Sequence, residues 1–177
     1  VELYEIIRAA GGGASVQQLA NEAGVEHAQA EQALRRILPG LGRAIRRAGE
    51  SRTGAPVVHG ALQDERYARY LDDPAALRDA AAATDGERVL AEVLDGTERD
   101  ELVRNTAEAV QADQAAVRRL LPLIATLAVA AIGQRLRDES PQIPWFGTRP
   151  DDQFGAPLLN ALAAMFEHED ESRSERR

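Results

Sequence analysis

The chain carries three histidines, His27, His59 and His168, and no cysteine. Disulfides, thiolate nucleophiles and cysteine-ligated metals are therefore excluded. A histidine-based metal site on a helix needs a second ligand at i+3 or i+4, so that both face one ion. None of the three has such a partner beyond scattered glutamates. His168 sits in Glu167-His168-Glu169-Asp170, a charged string with little to hold ligands in place. No metal or cofactor is expected.

Paired carboxylates are the next invitation to chemistry. Asp72-Asp73 has the composition for acid/base work, but Asp73 precedes Pro74, and an aspartate before a proline is the usual opening of a helix. Asp151-Asp152 lacks the glycine and glutamate spacing of a calcium loop. Gly11-Gly12-Gly13 follows a helical pattern rather than a strand and lacks the lysine of a phosphate loop. No serine or threonine has a nearby histidine to activate it. The expectation is a protein that is not an enzyme.

Charge points elsewhere. The whole chain has a net charge of −8, which argues against coating nucleic acid through its overall field. Yet Arg35, Arg36, Arg43, Arg46, Arg47 and Arg52 crowd one stretch that holds a single acid, Glu50. Just upstream, VQQLANEAGVEHAQAEQAL has the pattern of a helix-turn-helix, with Ala20 as the small residue, Gly24 at the turn and Val25 and Leu34 as packers. A recognition helix starting near Glu26 would expose His27, Gln29, Glu31 and Gln32. Glutamine can read adenine, but Glu26 and Glu31 repel phosphate. The six arginines are thus a candidate surface for a protein partner or, as the alternative, for nucleic acid. A second candidate contact is aromatic. Trp145, Phe146 and Phe154 cluster in a chain with only 4% aromatics, and they suit either an arm pinned to its own domain or a homo-oligomer contact.

These residues must be carried by helices. Alanine and leucine dominate an apolar fraction of 44%, which favours helix over strand. Apolar spacing predicts short helices over 2–10 and 15–22, the first stopped by Gly11–Gly13, the second opened by Ser15 and closed by Gly24. A long helix follows from His27 to Ala48, with Pro39 inside it expected to kink or break it. Asp73-Pro74 opens a helix to about Ala83, and Asp85-Gly86 reads as a turn. Helices over Val89–Leu94, from Thr97 to Val110, and from about Asp113 to Arg137 complete the domain. The run Leu120–Ile132 is apolar nearly all round, so it should be the buried central helix, kinked at Pro122, and too short to span a bilayer. No basic start followed by an apolar run is visible at the beginning of the chain, so a cytoplasmic location and no membrane partner are expected.

The long helices share a motif: LRRILP at 34–39 and VRRLLP at 117–122, with AQAEQAL upstream of the first and ADQAAV leading into the second. Gly24-Val25 then faces Ala109-Val110 after a two-residue shift. The expected architecture is all-α, a multi-helix bundle with two degenerate helical-hairpin repeats of helix-turn-helix or homeodomain-like form and Pro-kinked long helices. Each hairpin exposes an apolar face that only the other can bury. This domain covers 1–139. Residues 140–157 hold four of the eight prolines and read as a linker or arm. An amphipathic helix over 158–170 and a charged tail over 171–177 follow.

Three segments also resemble a known family: LYEIIRAAGGGASVQQLANEAGVEHAQAEQALRRILPGL, GALQDERYARYLDDPAALRDAAAATDGERVLAEVLDG and AAVRRLLPLIATLAVAAIGQRLR. Together they are similar to the bacterial domain of unknown function 937 family, the YidB-like proteins, over about residues 3–137. The most specific part is Tyr70-Leu71-Asp72-Asp73-Pro74, then Asp85-Gly86 and Leu94–Gly96. The family pattern usually has a glycine where this chain has Ala109. The resemblance implies an all-helical fold and carries over no catalytic residues. The expected role is a protein-interaction or scaffold module.

Overall fold

A computed structural model describes residues 3–139. Trp145, Phe146, Phe154, His168, Asp151-Asp152 and the segments expected after residue 139 lie outside the described residues. Within them, eight α-helices and three 3₁₀ segments follow one another with no strand. The helices are α1 (Leu3–Ala9), α2 (Ser15–Ala23), α3 (His27–Glu50), α4 (Ala55–Gln63), α5 (Arg69–Asp72), α6 (Ala80–Val93), α7 (Gly96–Val110) and α8 (Gln114–Glu139). The 3₁₀ segments are Ala10–Gly13, Glu65–Tyr67 and Pro74–Arg78.

Helix α8 is the hub. Every residue from Leu120 to Gly133 is buried, and each of the other seven helices touches it. An all-round apolar helix has no face to offer water, so amphipathic helices must enclose it. Its length and composition would allow it to cross a bilayer, which corrects the reading of the apolar run as too short. However, 83% of its most apolar window is buried within the protein.

Helix α6 packs against this hub at very short range. A Cβ added at Gly86 would lie 1.9 Å from the backbone carbonyl oxygen of Pro122. Thr126 donates its hydroxyl to the Ala82 carbonyl at 2.7 Å across the same crossing. Asp85-Gly86 is therefore not a turn. Both residues are buried inside α6, where the missing side chain lets two backbones meet.

Neither long helix breaks at its proline. Helix α3 is continuous through Pro39 and α8 through Pro122. Three helix starts also differ from the sequence reading. Ser15 does not cap α2; it is the first helical residue, and its hydroxyl donates back to the Ala10 carbonyl at 3.1 Å. Asp73 does act as a cap, accepting from the Ala75 amide, but the segment it opens is 3₁₀ and ends at Arg78. Helix α7 starts at Gly96, where Asp95 and Glu98 exchange bonds with each other's backbone amides in a capping box.

The α2–α3 and α7–α8 turns share one backbone form. Gly24 closes α2 in the left-handed region, at φ 70° and ψ 39°. Gln111 closes α7 at φ 54° and ψ 46°. The next amide then reaches back to the helix in both, Val25 to Ala20 at 3.0 Å and Ala112 to Ala107 at 3.1 Å. Gln111 thus takes at the end of α7 the conformation that Gly24 takes at the end of α2, two residues beyond Ala109. The prolines are not at matching distances from these turns: Pro39 comes fifteen residues after Gly24, Pro122 eleven after Gln111. The difference is about one helical turn, so the two prolines remain near the same helix face.

Candidate functional site

Helix α3 separates its residues sharply by face. Ala30, Ala33, Leu34, Ile37, Leu38, Leu41, Ala44, Ile45 and Ala48 are buried. At about 100° per residue, Arg35, Arg36, Arg43, Arg46 and Arg47 then fall within an arc of about 120° on the opposite side. The structure brings these five of the six sequence candidates together on one stripe. Arg52 lies beyond the helix end, exposed in the loop that leads to α4. No acidic side chain interrupts the stripe between Gln32 and Arg47.

The stripe is only partly neutralised. Arg47 bonds both carboxylate oxygens of Glu98 on α7, at 2.8 and 2.9 Å. Arg35 pairs with Glu31 at 3.3 Å and lies 4.2 Å over the ring of Tyr4 from α1. Arg35 also donates to the Tyr4 hydroxyl at 2.9 Å, and that hydroxyl donates to Glu31. The Tyr4 hydrogen bond, helped by Arg35, holds the Glu31 carboxyl below the usual carboxylate range. In contrast, Arg36, Arg43 and Arg46 make no ion pair or hydrogen bond with any described residue. A positive side chain in the last turn of a helix can serve the helix dipole. Among these five that explanation reaches Arg47, not Arg36 or Arg43, which sit further inside.

The residues expected to read bases are occupied. Gln29 donates to the carbonyls of Val110 and Gln111, at 3.3 and 2.9 Å, tying the start of α3 to the second turn. It also returns a bond to the Glu26 amide in a capping box. His27 bonds Gln17 at 3.2 Å. Glu31 is held by Tyr4 and Arg35. Of the four proposed readers only Gln32 is exposed and uncommitted. A cleft of roughly 260 Å³ near this end is lined by Arg8, Gly13, Val16, His27 and Glu31. It lies wholly within the first three helices and their connections, not between the two long helices.

Sequence reasoning did not find the buried polar cluster beside α8. Asp85 is 6% exposed. It accepts from the Tyr70 hydroxyl at 3.0 Å and faces Arg88 at 3.6 Å. Tyr67 donates to the Asp85 carbonyl oxygen at 3.4 Å, and Arg69 donates to the Tyr70 hydroxyl at 2.7 Å. Burial pushes the Tyr67 phenol up to about 12 and also raises Tyr70. Both phenols therefore stay protonated near neutral pH. The cluster is a buried clamp between α5 and α6, each of its polar groups answering another. The signal for it was the Tyr70 to Pro74 and Asp85-Gly86 pattern, whose pairing needs a contact that sequence spacing does not give. Among the described residues no group of three histidine or acidic side chains stands close enough to hold a metal ion.

A family model described as "Bacterial protein of unknown function (DUF937)" matches residues 5–135. No curated protein and no solved structure matches the chain.

Proposed function

Since the chain belongs to this bacterial family of unknown function, with nearly all of the described bundle inside the match, we propose that it is a non-enzymatic interaction module that holds an anionic macromolecule along α3. One observation carries this reading: Arg36, Arg43 and Arg46 stand on an acid-free stripe without partners among the described residues, in a chain whose net charge is −8. A chain rich in carboxylates has acids available to neutralise its arginines, as Glu31 and Glu98 do for Arg35 and Arg47. Leaving three neighbouring ones unpaired preserves their charge for something outside. On this reading the bundle is a pair of duplicated hairpins with proline-bent long helices, supported by the matching turns at Gly24 and Gln111. The first copy keeps the charged exterior and the second supplies the buried hub.

Retention on heparin, a soluble polyanion, tests the reading. The wild type should elute at higher salt than the triple variant Arg36→Gln, Arg43→Gln, Arg46→Gln. Equal elution would mean that the stripe is only a solvated face.

A further inference from the structure

We infer that the anionic partner of α3 is the phosphate backbone of a nucleic-acid duplex, gripped without regard to its sequence; this rests on the reading of α3 as an anion-binding face. The stripe is marked by what it lacks. Between Gln32 and Arg47 the exposed face of α3 presents no aromatic and no large aliphatic side chain; Pro39, half-buried, is its main apolar group. A protein partner needs buried apolar or aromatic anchors at the centre of its interface. An amphipathic membrane-surface helix adds to its charge an apolar face that enters the headgroup region. A single strand needs aromatic rings on which bases stack, and all three described tyrosines are buried. A contact made almost entirely of charge leaves the duplex backbone as the fitting partner.

The spacing of the arginines also fits a duplex. Arg36, Arg43 and Arg46 span about 15 Å along the helix axis. A duplex carries one phosphate per about 1.7 Å of its axis, so a stripe of that length meets several phosphates in any register. Guanidinium forks match phosphate oxygens in pairs. Gln29, His27 and Glu31 are tied to carbonyls and side chains of the bundle itself, so the start of α3 has little left with which to read base edges. The helix-turn-helix pattern here holds a backbone-gripping stripe rather than a reading head.

Fluorescence anisotropy with two short DNA duplexes of unrelated sequence and one RNA duplex tests this, each titrated over a salt series. The expected result is binding at low salt, similar for the two DNA sequences, with log K falling linearly against log salt. The triple variant Arg36→Gln, Arg43→Gln, Arg46→Gln should lower that slope by about 2.7, at about 0.9 for each lost phosphate contact. Arg104→Gln, at an exposed arginine of α7, should leave it unchanged. The DNA and RNA arms identify which duplex is the source of the phosphates. Absence of duplex binding at low salt, an unaltered slope in the triple variant, or binding confined to one sequence overturns the inference. If heparin retention still depends on the three arginines while no duplex binds, the anion-binding face stands and only the duplex is wrong. If both are lost, both fall.

Discussion

Substituting alanine at Gly86 tests the packing on which the whole bundle rests. The added Cβ would meet the Pro122 carbonyl oxygen at 1.9 Å, its carbon at 2.5 Å and the Thr126 hydroxyl at 2.8 Å. Two of these three atoms are backbone, so no side chain can swing clear. Helices α6 and α8 must separate by about 1.5 Å to reach the 3.4 Å of ordinary van der Waals contact. Overpacking of this kind costs about 1 to 3 kcal/mol, and backbone against backbone belongs at the upper end. Alanine returns about 1 kcal/mol through its better helix propensity. The expected net loss is about 2 kcal/mol. Gly60→Ala is the matched control, because nothing lies within 4 Å of a Cβ at Gly60 in α4. That change should stabilise by about 0.5 to 1 kcal/mol. Urea unfolding followed by helical circular dichroism gives both numbers, provided the m-values agree. If Gly86→Ala raises the unfolding midpoint as Gly60→Ala does, the close crossing of α6 and α8 is wrong.

Polar atoms and backbone shape give three further expected outcomes. Thr126→Val removes the hydroxyl that donates to Ala82 and should cost about 1 kcal/mol in the same unfolding assay. Thr106→Val should instead be neutral or stabilising by about 1 kcal/mol, because the Thr106 hydroxyl is buried without a partner among the described residues. Gln111→Gly should stabilise by about 0.5 to 1 kcal/mol, because glycine relieves the positive φ of 54° at the α7 end. A higher midpoint for Thr126→Val, or a lower one for Thr106→Val or Gln111→Gly, would contradict the geometry given for each.

Periodic segments were legible because their signal is local. Leu120–Ile132 has no polar face, and that alone identified the central helix. The five arginines of α3 could be placed on one stripe from their numbers, since helical phase needs no tertiary information. Asp85-Gly86 was misread for the opposite reason. An aspartate-glycine pair is a turn signal by local preference, yet here it lies mid-helix, where α8 approaches too closely for any side chain. Pro39 and Pro122 predicted a kink or a break, and neither helix breaks there. The pairing within the site was the least legible part. Glu31 is one helical turn from Arg35 in the sequence, but Tyr4 and Glu98 arrive from α1 and α7. Only the fold shows that Tyr4 braces the Arg35–Glu31 pair and that Glu98 neutralises Arg47, leaving three arginines without partners among the described residues.

The central position of α8 has a consequence for how the protein is made. This helix is the last of the described elements, and the ribosome delivers a chain from its N-terminus at about 5 to 20 residues per second. Helices α1 to α7 therefore emerge with apolar faces shaped for a helix that has not yet been synthesised. The contact of α1 with α8 closes a loop of more than a hundred residues, unusually non-local for a helical bundle. For several seconds of each synthesis the nascent protein is a rim without its hub. During that interval its apolar faces must fold back on one another or be shielded until α8 clears the exit tunnel.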